Sequence, residues 1–310
     1  MSESVESPSK PRNVRGRVVL RASLAACLLV LGGMAGLVHH WHEEARRLEN
    51  AVGAPERGGT LVVAGGGHRL EKVMREFVRL AGGKDSRVVV VPGGEIEDKH
   101  ERSYLREWTA AGAGRVVILH AKSRGEACSS GFTDPLRDAT GVWLGGGDQS
   151  WHSEHYAETP VEEALREVVA RNGVVGGTSA GAAVMTRVMI AGGRGEPREG
   201  QGLDLFPGAV IDQHFLRRNR LTRLLTVLDR YPSLVGFGVD EGTALVVRVR
   251  DWHLRVVGDS YVMAVVPATE TRKARFEVLK PGDQIPLEGL LDADVQVSAA
   301  DDWDEVLGGG

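Results

Sequence analysis

This chain has few cysteines, few aromatic rings and no excess of positive charge. Cys27 and Cys128 are the only cysteines in 310 residues. They stand in regions of opposite character, which excludes a disulfide framework or a cysteine-based zinc site. With 38 lysines and arginines against 42 aspartates and glutamates the net charge is −4. No global basic field recruits nucleic acid, so any cationic site has to be local. His68, His100, His120, His152 and His155 are scattered without an H-E-x-x-H or related spacing, so a zinc hydrolase has no ligand set; neither a metal nor a cofactor is expected. No G-x-G-x-x-G and no G-x-x-x-x-G-K-[ST] begins at Gly65-Gly66-Gly67, and that run reads as a tight strand-to-helix connection instead of a nucleotide loop.

What is present suits one large, well-buried domain: 42% of the residues are hydrophobic and 26% charged. The amino terminus is a separate matter. Residues 1–17 form a polar leader carrying Lys10, Arg12, Arg15 and Arg17, and the stretch 18–39 is apolar or small apart from Arg21 and its last residue, His39. Its length approaches a bilayer span with Arg21 snorkelling. The basic excess before it places the leader in the cytoplasm and the remainder outside, as a signal anchor, with a cleaved signal peptide and secretion as the alternative. "LAAC" at 24–27 resembles a lipoprotein cleavage box, although the strongest apolar run follows Cys27. His39, His40 and His42 flank Trp41 at headgroup level. Residues 40–57 read as a linker, and 58–310 as the functional domain.

From Thr60 onward apolar runs alternate with amphipathic stretches. "TLVVA" (60–64), "RVVVV" (87–91), "RVVIL" (115–119), "GVWL" (141–144) and "GVVG" (173–176) read as strands, with helices near 68–80, 98–111 and 161–170. Strands apolar on both sides belong to a parallel sheet covered by helices on both faces, and ligands bind beyond its carboxyl ends. After Thr243, "ALVVRVRDWHLRVVGDSYVMAVVP" alternates and is punctuated by turns, which predicts antiparallel hairpins added at one edge. The tail from 292 is acidic.

One stretch carries chemistry. Gly177-Thr178-Ser179-Ala180-Gly181 matches the G-x-S-x-G elbow, directly after a short apolar strand and directly before a helix-compatible run. A Ser N-cap with packing glycines fits the same five residues equally well. A nucleophilic serine needs a base and an orienting acid. His214 stands thirty-five residues on, at the end of an apolar run and ahead of an amphipathic helix with Arg218, Arg220 and Arg223 at its start and flank. Guanidinium groups beside a catalytic histidine suit an anionic substrate, although a solvated basic face has the same pattern. Asp240 and Glu241 form either a second carboxylate pair near the site or the polar cap of a strand end.

Four motifs in order, "GVWLGGGDQ" (141–149), "GGTSAGAAVM" (176–185), "DQHF" with R-x-R-x-x-R-L (212–224) and "GFGVDEGTALVV" (236–247), resemble cyanophycinase. That family of serine peptidases cuts the aspartate–arginine polymer cyanophycin and also includes aspartyl dipeptidase. The resemblance implies Ser179 as nucleophile, His214 as general base, and the Gly147 and Ala180 N–H groups as oxyanion hole. Gln149, Asp212, Gln213, Arg218, Arg220 and Arg223 become substrate contacts, with Asp212 facing a substrate guanidinium. The orienting acid falls in the loop after the nucleophile's helix, where Glu196 is preferred to Glu199 for its closer spacing. The implied fold is a three-layer αβα sandwich of class I glutamine amidotransferase-like or flavodoxin-like type, and a homodimer is the expected assembly. An aspartyl dipeptidase-like enzyme with a smaller substrate is the alternative within the family, and Asp148, which adds a negative charge beside the oxyanion position, leaves a membrane-tethered binding protein without turnover as a competing reading.

Overall fold

A computed structural model describes residues 58–269 and 273–291. The expected leader, span and linker (1–57) and the acidic tail lie outside those residues. Among the described residues no helix is long and apolar enough to cross a membrane.

Strands β1 (Thr60–Ala64), β2 (Arg87–Gly93), β3 (Arg115–Ile118), β4 (Gly141–Gly147) and β5 (Val174–Thr178) form a parallel core in the order β1-β5-β4-β2-β3. Their β-branched runs alternate between two buried faces. Val62, Ala64, Val88 and Val90 point toward the helix Glu71–Leu80, which lays Val73 and Phe77 against them. Phe77, Trp108 and Trp143 meet there edge to face with centroids 5.0–5.2 Å apart, a geometry that adds about 0.5–1.5 kcal/mol per pair beyond burial. Leu61, Val63, Val89, Val142 and Leu144 point the other way, onto Val161, Leu165 and Val168 of the helix Pro160–Ala170. That helix starts where its sequence says it should. The Thr159 side chain accepts from Val161 N, Pro160 needs no acceptor in the first turn, and Glu162 and Glu163 face the positive end.

After β5 come a hairpin, β6 (Val188–Gly192) and β7 (Arg198–Gln201), then β8 (Ala209–Gln213), the helix Leu221–Arg230 and β9 (Val235–Val239). They are followed by β10 (Thr243–Arg248), β11 (His253–Gly258), β12 (Val262–Val266), β13 (Arg275–Leu279) and β14 (Gln284–Pro286). The hairpins expected at one edge are divided between two sheets. β10, β11 and β14 extend the core antiparallel beyond β1, whereas β12 leaves it and joins β13, β9 and β8 in a second sheet of four strands. The division follows burial. β11 alternates between buried and half-buried residues, as an outer strand can, but β12 is apolar on both faces. Its Val262, Ala264 and Val266 join the main core, while Val265 packs with Leu224, Val227 and Leu228 of the helix Leu221–Arg230. The result is an α/β fold with a mostly parallel central sheet, one flank of which carries a second sheet as well as helices.

This second sheet matters to function because β8 and β9 pair in parallel. Their carboxyl ends open where those of β1, β4 and β5 do. Residues following five strands therefore meet in one place.

Candidate active site

Ser179 follows β5 at a sharp turn and has φ 52 and ψ −110. A non-glycine residue in this region costs on the order of 1–3 kcal/mol and persists only where its surroundings impose it. Close packing supplies the constraint. A Cβ on Gly177 would strike the carbonyl of Gly181, and one on Gly181 would strike the carbonyl of Leu144 in β4, so both elbow glycines are needed for contact. The helical turn that follows is short, Ala180–Ala183, and the Ser179 side chain does not cap it. Its hydroxyl instead lies 2.8 Å from His214 Nε2. Of the two readings of the serine, the cap is the one the geometry rejects.

His214 sits just beyond β8, buried and also at positive φ (49°). Its Nδ1 lies 2.5 Å from Glu241 Oε1. A carboxylate can only accept, so Nδ1 carries the ring proton and the lone pair of Nε2 faces Ser179. Burial holds the imidazole below its ordinary value of 6.5, against the opposing pull of the Glu241 hydrogen bond. The hydrogen bond from His214 in turn holds the Glu241 carboxyl below its usual range. A neutral imidazole with its lone pair on a serine hydroxyl is poised to accept a proton.

The acid beside the histidine is thus Glu241 and not Glu196. Glu196 lies at the tip of the β6–β7 hairpin with its side chain 76% exposed, paired with Arg230; Glu199 pairs with Arg230 and accepts from the Tyr231 hydroxyl. The β6–β7 tip faces the helix Leu221–Arg230, whereas β9 ends beside β8 and delivers Glu241 to the imidazole. A signal for Glu241 was present: a carboxylate immediately beyond the carboxyl end of an apolar strand, where α/β sheets place their ligands.

Several expected substrate contacts turn inward instead. Asp212 is fully buried, its two oxygens engaged by Arg223 Nε at 2.8 Å and by Arg223 Nη2, and burial pushes its carboxyl up against the pull of Arg223. It has no surface to offer a substrate guanidinium. Arg223 is 3% exposed and also donates to the Gly193 carbonyl at 2.7 Å, tying down the β6–β7 hairpin. Gln149 donates to the carbonyls of Ile190 and Ala191 on that hairpin. Gln213 is buried and receives Arg220, whose guanidinium, desolvated and close to Arg223, is pushed down to about 10. Arg218 is exposed, its N–H donating to the His214 carbonyl at 3.0 Å. Among the described residues no hydrogen bond or ion pair engages its guanidinium.

Of the expected oxyanion residues, Ala180 follows Ser179 directly and Gly147 follows the glycine that lies against it. Ala180 opens the helical turn, where an N–H has no intrahelical acceptor. Gly147 ends β4, and a Cβ on the neighbouring Gly146 would lie 3.7 Å from that of Ser179. His152 fixes the same strand end from beneath. It is fully buried, held down to about 4 by desolvation, and therefore neutral; its Nε2 donates to the Gly145 carbonyl at 2.9 Å. Asp148 accepts from Ser150 N at 2.8 Å as the N-cap of the helix Gln149–Tyr156. Among the described residues no group of histidines, cysteines and carboxylates could hold a metal ion.

Residues 61–255 match the sequence profile of peptidase family S51. The cyanophycinase of Trichormus variabilis is 35% identical over 240 residues, covering 74% of this chain and 80% of its own length. That of Geminocystis herdmanii is 33% identical over 221 residues, covering 67% and 80%. Among solved structures, a peptidase from an acI-B1 Actinobacterium superposes with a TM-score of 0.58 at 22% identity, covering 74% of this chain and 97% of that one.

Proposed function

Because this chain belongs to peptidase family S51 and is on that ground a serine-type peptidase, we propose that it hydrolyses cyanophycin or related β-linked aspartyl-arginine peptides through an acyl-enzyme. One observation carries the mechanism: the Ser179 hydroxyl lies 2.8 Å from a histidine nitrogen whose partner nitrogen is bound to a carboxylate. Ser179 Oγ attacks the scissile carbonyl carbon as His214 Nε2 takes its proton. Glu241 keeps the imidazole in the required tautomer and stabilises the imidazolium. The N–H groups of Gly147 and Ala180 receive the oxyanion, where loss of one donor costs about 2.7–4 kcal/mol. The C–N bond breaks as His214 returns the proton to the leaving amine. A water deprotonated by the same imidazole then attacks the ester and regenerates Ser179.

Two features favour the carboxylate-bearing polymer and turnover. The open guanidinium of Arg218, with half-buried Arg220 behind it, matches the free carboxylates of the polymer. The Asp148 carboxylate is engaged as a helix cap, which weakens the objection that it opposes an oxyanion. The cyanophycinase relatives are named for this polymer. The proposal extends to the stretch 18–39 as an anchor that holds the domain outside the cytoplasm; membrane fractionation with protease protection of the full chain tests that part. For the chemistry, a fluorophosphonate probe is expected to label the folded protein and not Ser179→Ala. Incubation with purified cyanophycin is expected to release dipeptide. Folded protein that stays unlabelled and leaves both the polymer and β-aspartyl-arginine intact overturns the reading.

A further inference from the structure

We infer that the backbone run Ala64-Gly65-Gly66-Gly67, at the end of β1, is the gauge that sets Ser179, His214 and Glu241 against one another, with Gly66 and Gly67 as positioning residues for the imidazole and the carboxylate. The inference rests on the triad proposed above. It accounts for a motif, the triple glycine, that the mechanism leaves unused.

Three consecutive carbonyls of this run each hold one arm of the site. Ala64 O accepts from Ser179 N at 3.0 Å, Gly65 O from His214 N at 2.8 Å, and Gly66 O from the N–H of Gly242, the residue after Glu241, at 2.9 Å. The turns after β5, β8 and β9 are thereby pinned, at or next to their catalytic side chains, to a single short segment. Ser179 and His214 are both non-glycine residues at positive φ, and these bonds are part of what imposes that conformation.

The glycines act through the space they leave. Gly66 has φ +100, and a Cβ there would lie 2.5 and 2.6 Å from Cε1 and Nε2 of His214. It would occupy the place of the imidazole edge that takes the serine proton. Gly67 has φ +88, and its Cβ would lie 2.8 Å from Cβ of Glu241 and 3.1 Å from its Oε2. A Cβ on Gly65 would meet the carbonyls of Val239 and Asp240, so the first glycine lets the run lie against the end of β9. A side chain at 66 or 67 moves one member of the dyad while leaving the three backbone bonds available.

The test compares Gly66→Ala and Gly67→Ala with Gly82→Ala. Gly82 has φ +110 but its added Cβ would meet nothing nearer than Ser86 N at 3.8 Å, so it imposes the same backbone strain away from the site. Thermal scans, kcat and KM on cyanophycin, and the titration of His214 followed by ring-nitrogen NMR are measured for all three and for wild type. Melting temperatures are expected to fall in all three, least in Gly82→Ala, which carries the backbone strain without the close contacts. Gly66→Ala is expected to lose about 10²-fold in kcat with KM little changed, the scale of a displacement near 1 Å, and Gly82→Ala to keep the wild-type kcat. Gly67→Ala, by moving the carboxylate that raises the His214 value, is expected to shift the titration and the acid limb of kcat/KM to lower pH. Wild-type kcat and His214 titration in both variants overturns the gauge, as does a loss in Gly82→Ala equal to that in Gly66→Ala. Should Gly66→Ala not fold, Gly67→Ala, which presses on a movable side chain, decides alone. Inert wild type would refute the proposed function, and the NMR titrations would still decide the gauge.

Discussion

Two turns in this molecule carry a pair of acids, and they differ in what lies across from them. The β6–β7 hairpin presents Glu196 and Glu199 to Arg230 and Tyr231 on an exposed helix flank. The turn between β9 and β10 presents Asp240 and Glu241 to the end of β8. There Asp240 accepts from Arg217 N at 3.0 Å and the Ser260 hydroxyl at 2.8 Å, and Glu241 meets His214. The hairpin is nearer to the nucleophile along the chain, yet its acids serve as a surface tie that water screens. The turn is farther along, and its acids are half-buried or buried at the carboxyl end of a strand parallel to the one that carries the histidine. Adjacent carboxyl ends of parallel strands, and not chain distance, select the acid.

The contrast breaks most visibly at Glu241. Glu241→Gln is expected to lower kcat on the order of 10⁴-fold by losing the carboxylate that fixes the imidazole tautomer. Glu196→Gln is expected to leave kcat unchanged in parallel assays on cyanophycin, and the reverse pattern would restore the hairpin acid. The buried pair behind the site gives the next effect. Asp212→Asn strands the Arg223 guanidinium in the interior and is expected to cost about 3–5 kcal/mol in urea unfolding at fixed pH. A cost within the scatter of surface substitutions would mean that Asp212 is free for substrate after all.

The smallest effect sharpens the comparison on the oxyanion side, where His152 is a buried histidine without a carboxylate. Its folded value, about 4, lies below the ordinary 6.5, so the unfolded chain binds the extra proton first. Stability attributable to His152 is therefore full above pH 6.5 and falls as pH drops toward 4, by about 3 kcal/mol. Subtracting the pH dependence of a folded His152→Gln variant from that of wild type isolates this loss, and identical profiles would show that the ring protonates in place.

The parallel core was legible because each of its strands announces itself locally. Five short β-branched runs separated by helix-period stretches leave little choice of architecture. The elbow was equally local, since Gly177, Ser179 and Gly181 lie within one turn. The second sheet was not legible. β10 and β12 have similar apolar compositions, and what separates them is cover from the helix Leu221–Arg230 on the far side of β12. The resemblance implies Asp212, Arg223 and Gln149 as substrate contacts, and along the chain polar groups near a site look the same whether they face solvent or one another. Only the hydrogen bonds to Arg223, Gly193 and the carbonyls of β6 show that they brace the hairpin.

What this chain marks by itself is the elbow around Ser179, a histidine ahead of an arginine-bearing helix and the sheet that presents them, because each depends on residues within a few positions of one another and on a periodicity that survives in one dimension. The carboxylate that meets His214, the inward turn of Asp212 and Arg223, and the joint hold of Ala64–Gly66 on the turns at Ser179, His214 and Gly242 belong to the folded molecule alone. They arise where segments distant in sequence come within a hydrogen bond, and pattern along the chain carries no record of which carbonyl lies across from which amide.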